Sequence, residues 1–208
     1  MDLSNSPITL ALIAANCIIS FMAFKNNVLL NKLIFHPPDI TKNKQWYRFI
    51  TSGFIHKDFN HLLFNMITLF FFGQALEPLF DAVGLSPIVY LVFYLSAIVV
   101  SEIPTYIKEK NNENYYSLGA SGAVSAVVFA LVLFAPWEKI YIKFIIPVPF
   151  ILYAVGYLAY SAYMDRKGTD HIGHSAHLWG ALYGIAFMLV AFPESYKIFM
   201  DQIAHPHF

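Results

Sequence analysis

Long apolar stretches separated by short polar breaks run through the chain. Six of them approach the roughly 20 mainly apolar residues that a helix needs to cross the hydrocarbon core of a bilayer. They cover about residues 8–24, 61–80, 88–103, 118–135, 144–163 and 175–192. The breaks are of kinds that end helices. Lys25-Asn26-Asn27 follows the first run, Pro104 stops the third, and Pro136-Trp137-Glu138 closes the fourth. Asp165-Arg166-Lys167-Gly168 follows the fifth, and Pro193-Glu194 closes the sixth. Several runs are short, which predicts tilt or local bilayer thinning. There is no internal repeat, low-complexity stretch or second domain, so residues 1–208 read as a single all-α integral membrane domain with six transmembrane helices.

The first loop, residues 25–60, follows a different pattern. Lys32, Lys42, Lys44 and Arg48 are mixed with Leu33, Phe35, Trp46 and Phe49, which suits a folded element lying in the membrane interface. His36 and His56, within it, are expected to be exposed.

Composition narrows the class further. The chain is 58% apolar and 12% charged, against about 45–50% and about 25% in soluble domains; so few charges cannot solvate a soluble surface. The formal net charge is zero, leaving no basic stripe for nucleic acid and no acidic tail. The single cysteine, Cys17, lies in an apolar run and excludes an intrachain disulfide. The first run lacks a basic leader and an Ala-x-Ala-like exit, so no cleavable signal peptide is expected.

Ionisable or strongly polar groups inside spanning helices are costly and point to function by default. The second run opens with His61 and Asn65, the fourth with Gly119-Ala120-Ser121-Gly122, and the sixth with His174 and His177. Runs two, four and six share parity, so their N-terminal ends meet at one membrane face whichever way the chain is inserted. A serine hydroxyl becomes a nucleophile when a base within hydrogen-bond reach removes its proton, and Ser121 and His177 can form such a pair from facing helices. The oxyanion that follows needs preorganised donors. Backbone N–H groups at the helix start around Ser121 are such donors, and His61 and Asn65, four apart on one helix face, can add side-chain donors. No aspartate accompanies these residues in the runs, so a dyad fits better than a triad.

Each feature also has a plainer explanation. Gly-x-Ser-Gly alone suits close helix packing, a histidine at a membrane boundary is often interfacial, and Asn65 could be an interhelical hydrogen bond of about 0.6–2 kcal/mol. His171, His174 and His177 recur every third residue, as a metal site would, but no carboxylate or thiol accompanies them in the run; no metal and no cofactor is expected. His205 and His207 lie in a short polar tail and suggest no chemistry.

Together the motifs resemble the rhomboid family of intramembrane serine proteases over nearly the whole chain. Gly119-Ala120-Ser121-Gly122 resembles the family's nucleophile motif. Ala176-His177-Leu178-Trp179-Gly180 with Gly184 resembles its Ala-His-x-x-Gly-x-x-x-Gly, and His61 to Asn65 its His-x-x-x-Asn oxyanion pair. Arg48 and His56 resemble its Trp-Arg…His stretch, although here Tyr47 precedes the arginine and the tryptophan is Trp46. Four residues after the nucleophile, where some bacterial members carry a tyrosine that stacks on the catalytic histidine, this chain has Ser125.

The resemblance implies a six-helix rhomboid-like bundle with a long interfacial first loop, and cleavage of single-pass transmembrane substrates near one membrane face by Ser121 and His177. A multi-pass protein of a bacterial inner (plasma) membrane is expected, with lipid but not nucleic acid as a partner; oligomeric state is not legible. The family implies a cytoplasmic N-terminus and an active site opening outward, whereas the basic residues of the first loop favour the reverse. The alternative on the same fold is a non-proteolytic membrane-protein binder or chaperone. A transporter would want polar groups through the full membrane depth. Finally, His177, Gly180 and Gly184 share one helical stripe, expected to face a stripe of Ser121, Ser125 and Val128, flanked by Gly122, and to set the distance between nucleophile and base.

Overall fold

The computed structural model describes residues 6–142, 145–168 and 173–206. Helix α1 (Pro7–Phe24) is followed by a first loop that folds into three short helices, α2 (Asn27–Leu33), α3 (Pro37–Asn43) and α4 (Arg48–Thr51). The long helices α5 (Phe59–Ala82) and α6 (Pro87–Glu109) come next, then α7 (Ser121–Ala130) with a 3-10 turn over Leu131–Leu133. A β-hairpin pairs β1 (Lys139–Ile142) with β2 (Ile146–Pro149), antiparallel with Ile142 opposite Ile146. Helices α8 (Phe150–Lys167), α9 (His174–Ala191) and α10 (Glu194–Ala204) complete the chain.

Helices α1, α5, α6 and α9 are each long and apolar enough to cross a membrane. Helix α8 has the length but ends in Asp165-Arg166-Lys167. Helix α7 with its 3-10 turn is shorter: 13 residues, a rise of roughly 20 Å against about 30 Å of hydrocarbon. Every residue of α7 except Ser121 is buried, so α7 is a central strut surrounded by its neighbours. The main core cluster joins Leu69, Leu76 and Phe80 of α5, Phe93 and Tyr94 of α6, Val127 and Phe129 of α7, and Ala181 and Met188 of α9. The chain is a multi-pass membrane protein, predominantly helical.

Three local expectations are corrected. Pro104 does not stop the third run: α6 continues through it to Glu109, since spanning helices tolerate a proline where neighbours and hydroxyl side chains satisfy the freed backbone. The fourth run begins at Ser121 rather than 118, because Gly119 has φ +123°, outside any helix. The start of the fifth run is hairpin, not helix. Pro147 and Pro149 force the residues before them into extended conformation, and α8 starts at Phe150, directly after Pro149. Between the sixth run and the C-terminal His205, residues 194–204 fold as amphipathic α10, locked to the segment after α7 by Trp137 Nε1 donating to the Gln202 carbonyl (2.7 Å) and Gln202 Nε2 donating to the Phe134 carbonyl (2.6 Å).

Two intramembrane carboxylates lie outside the N-terminal ends where polar groups were expected. Glu77 of α5, 5% exposed, accepts from the backbone N–H of Ile8 (2.9 Å) and Thr9 (2.7 Å). It satisfies donors that the start of α1 would otherwise leave orphaned in lipid. Glu102 of α6 belongs to the site below.

Candidate active site

The turn that leads into α7 is held from several sides. Ser117 forms an isolated antiparallel bridge with Phe35 of the first loop, N–H to carbonyl in both directions at 3.0 and 3.1 Å. Its hydroxyl donates to Glu102 Oε1 at 2.7 Å. Gly119 N–H donates to the Ser52 carbonyl at 2.9 Å, and Ala120 N–H donates to His56 Nε2 at 3.4 Å. The first loop is therefore the jig in which the Ser121 turn is cast. Only glycine takes the φ of residue 119 without strain, and a Cβ there would also fall 2.6 Å from Cε1 of His61.

His56 is fully buried and His36 is buried at 7% exposure, contrary to the expectation that both are exposed. The hydrogen bonds require one tautomer of His56. Nε2 accepts from Ala120, so Nδ1 carries the proton and donates to Ser20 Oγ (2.9 Å), whose own proton goes to the Phe54 carbonyl (3.1 Å). Burial is the main cause that lowers its pKa from 6.5 to about 3; His61 adds to the effect and Asp58 opposes it. His36 stacks on Tyr116, with ring centroids 4.5 Å apart, and pairs with Asp39 at 2.9 Å.

Arg48 organises the loop from within. It is 5% exposed and donates from Nη1 to the carbonyls of Asn31 (2.8 Å) and Ile34 (2.6 Å), and from Nε to Gln45 (2.6 Å). Nη2 lies 3.3 Å from Asp39. Partial desolvation works against ionisation of Asp39, but His36 and Arg48 hold its carboxyl below the usual range. Arg48 thus reaches the nucleophile turn only through the loop it holds, whereas His56 also touches that turn directly at Ala120.

His61 and Asn65 lie in the first two turns of α5, whose N-terminus is capped by Asp58 accepting from His61 N–H at 2.8 Å. Asn65 Nδ2 donates back to the His61 carbonyl at 2.9 Å, which fixes the amide and leaves its second N–H for another acceptor. The rings of His56 and His61 meet edge-on at 5.0 Å.

Helices α7 and α9 touch backbone to backbone. A Cβ on Gly180 would collide with the Gly122 carbonyl and lie 3.0 Å from Gly122 Cα; one on Gly184 would collide with the Ala126 carbonyl. A Cβ on Gly122 would in turn lie 3.4 Å from the Ala176 carbonyl. The glycine stripe of α9 faces α7, as its spacing predicts, but the contact row is Gly122 and Ala126. Ser121, Ser125 and Val128 lie beside it and line a cavity instead. That cavity, about 980 Å³, is also lined by His61, Asn65, Tyr157, His174 and His177, so the four proposed catalytic and oxyanion side chains share one space. Among the described residues no side chain caps the start of α7, and helix starts of this kind leave backbone N–H groups without intrahelical partners.

His177 is flanked by aromatic rings. Tyr157 of α8 lies nearly parallel to it, centroids 6.3 Å apart at 26°, and His174 meets it edge-on at 6.1 Å. The Tyr157 hydroxyl is 3.0 Å from Ser125 Oγ. His171 falls outside the described residues, as does His207; among the described residues no three His, Cys, Asp or Glu side chains are grouped to hold a metal. Sequence reasoning passed over Tyr157, Glu102 and Ser117. An ionisable residue inside an apolar run marks Glu102; nothing local marks Tyr157, one of 13 tyrosines.

A family model for the rhomboid domain matches residues 43–194. RHOMBOID-like protein 12, mitochondrial, of Arabidopsis thaliana is 29% identical over 194 residues, covering 86% of this chain and 56% of its own. Putative rhomboid protease YdcA of Bacillus subtilis (strain 168) is 35% identical over 92 residues, 44% of this chain and 42% of its own. Presenilin-associated rhomboid-like protein, mitochondrial, of Homo sapiens is 30% identical over 145 residues, 67% of this chain and 36% of its own. The chain spans about half the length, or less, of these curated relatives.

Proposed function

The chain belongs to the rhomboid family, and from that premise we propose that it is an intramembrane serine endopeptidase cutting transmembrane helices of other membrane proteins. One observation carries the proposal: the helices bearing Ser121 and His177 are in backbone contact through Gly122 and Gly180, and both side chains line the same cavity. Rhomboids are generally intramembrane serine proteases, and one relative bears the name of a putative protease.

Ser121 Oγ attacks the scissile carbonyl carbon while His177 takes its proton. The carbonyl oxygen becomes an oxyanion, met by N–H groups at the start of α7, by Asn65 Nδ2 and by His61. Collapse of the intermediate breaks the C–N bond, and His177 returns the proton to the leaving amine. Water then enters the cavity, gives a proton to His177 and attacks the acyl carbon; the bond to Ser121 Oγ breaks as His177 returns that proton to the oxygen, releasing the new carboxyl group and restoring Ser121. The substrate helix must unwind locally before this sequence starts, because its amides are bonded internally within the membrane.

The test is cleavage of a model single-pass substrate by the purified chain in lipid. Ser121→Ala and His177→Ala should each abolish cleavage, and the double variant should lose no more than either single one, because residues acting as a unit are non-additive. Near-normal cleavage by Ser121→Ala contradicts the proposal and leaves a non-proteolytic binder on the same fold.

A further inference from the structure

We propose that Tyr157, anchored by Ser125, is the positioning residue that orients His177; this rests on His177 acting as the base. A base delivers its proton usefully only from one ring orientation, and a misplacement of about 1 Å can cost about 100-fold in rate. His177 sits on α9 with one ring face toward Tyr157, at a centroid separation and near-parallel angle within the range of favourable offset stacking. That ring comes from α8, a helix with few buried residues: Phe150 and Ala154 near its start and Ser161 beyond Tyr157. A stacking platform on so exposed a helix needs a fixed reference.

The hydroxyl supplies one. Tyr157 Oη lies 3.0 Å from Ser125 Oγ, and Ser125 stands one turn after Ser121 on α7, 7% exposed. The base is thereby registered to the nucleophile's own helix by two routes, the α7–α9 glycine contact and the chain Ser125–Tyr157–His177. Tyr157 also packs on Phe129 (5.2 Å) and Tyr153 (5.7 Å), so a purely structural role is the competing explanation. The two differ in what they predict for kcat and for the hydroxyl pair.

The experiment uses the full chain in lipid, with steady-state cleavage of a model substrate and thermal unfolding of each variant. Tyr157→Leu should lower kcat about 10–100-fold with KM within twofold of wild type and an unchanged unfolding midpoint. Tyr157→Phe keeps the ring and should recover to within about fivefold, the scale of one net hydrogen bond. Ser125→Ala should match Tyr157→Phe, and the double variant should be no worse, since both remove the same bond. The rate at which a fluorophosphonate labels Ser121 should fall in parallel with kcat.

Full kcat in a folded Tyr157→Leu protein, or a change confined to KM, overturns the proposal. Should Tyr157→Leu not fold, the other variants decide: full kcat in both Tyr157→Phe and Ser125→Ala, or additive losses in the double, overturns it. A wild-type protein no more active than Ser121→Ala refutes the proposed function itself, whereas an active wild type with an indifferent Tyr157 refutes only this positioning role.

Discussion

Hydrogen-bond direction decides what the individual side chains around Ser121 can do. Because Ala120 N–H donates to His56 Nε2, protonating that nitrogen breaks the contact holding the nucleophile turn. The folded state keeps the His56 pKa near 3, against 6.5 in the open chain. Between those values the unfolded chain binds the extra proton, so stability is complete above about pH 6.5 and declines as pH falls toward 3, by at most about 1.4 kcal/mol per pH unit. The unfolding midpoint should therefore drop between pH 7 and 4, and drop less in His56→Gln. An equal slope in both proteins would show that His56 is not the group responsible. The motif of Arg48 and His56 was legible in the sequence, but their burial was not, because burial depends on partners such as Ser20, Asn31 and Ala120 that are distant along the chain. The support for His177 was invisible for the same reason: Ser125 reads as a gap in the family pattern until α8 brings Tyr157 beside it.

Among the elements, the pairing of α7 with α9 governs the site. The stripe of His177, Gly180 and Gly184 was readable from helical period alone, and it does face α7. The partner row was misread by one position, since period fixes which residues share a face but not how two helices rotate against each other. A side chain at 180 meets backbone atoms of Gly122, which cannot swing aside as a rotamer can. Gly180→Val should lower the unfolding midpoint, by overpacking worth about 1–3 kcal/mol, and reduce cleavage more than tenfold. Gly156→Ala on α8, where a Cβ meets nothing within 4 Å, should change neither. A folded, fully active Gly180→Val protein would remove the close-packing argument. The long apolar helices α1, α5, α6 and α9 were plain from hydropathy. The hairpin and the first-loop helices were not, because prolines and tertiary bonds, rather than apolar run length, set their limits.

At the scale of the whole molecule, a short buried helix is ringed by longer ones and roofed by a folded loop. Since α7 is too short to span the hydrocarbon, its first residue can sit below the membrane face while the cavity above it admits water. Segment parity already implied that the polar ends of α5, α7 and α9 meet at one face, and the four spaced motifs implied the family. The cavity itself could not be read, because its walls come from the first loop and five helices. The central claim is that Ser121 is a nucleophile made reactive by His177. The most direct measurement is intact and peptide mass analysis of the lipid-reconstituted chain after reaction with a fluorophosphonate. The predicted result is a single adduct on Ser121 in the wild type that disappears in a folded His177→Ala protein; an adduct elsewhere, or undiminished labelling without His177, would contradict it.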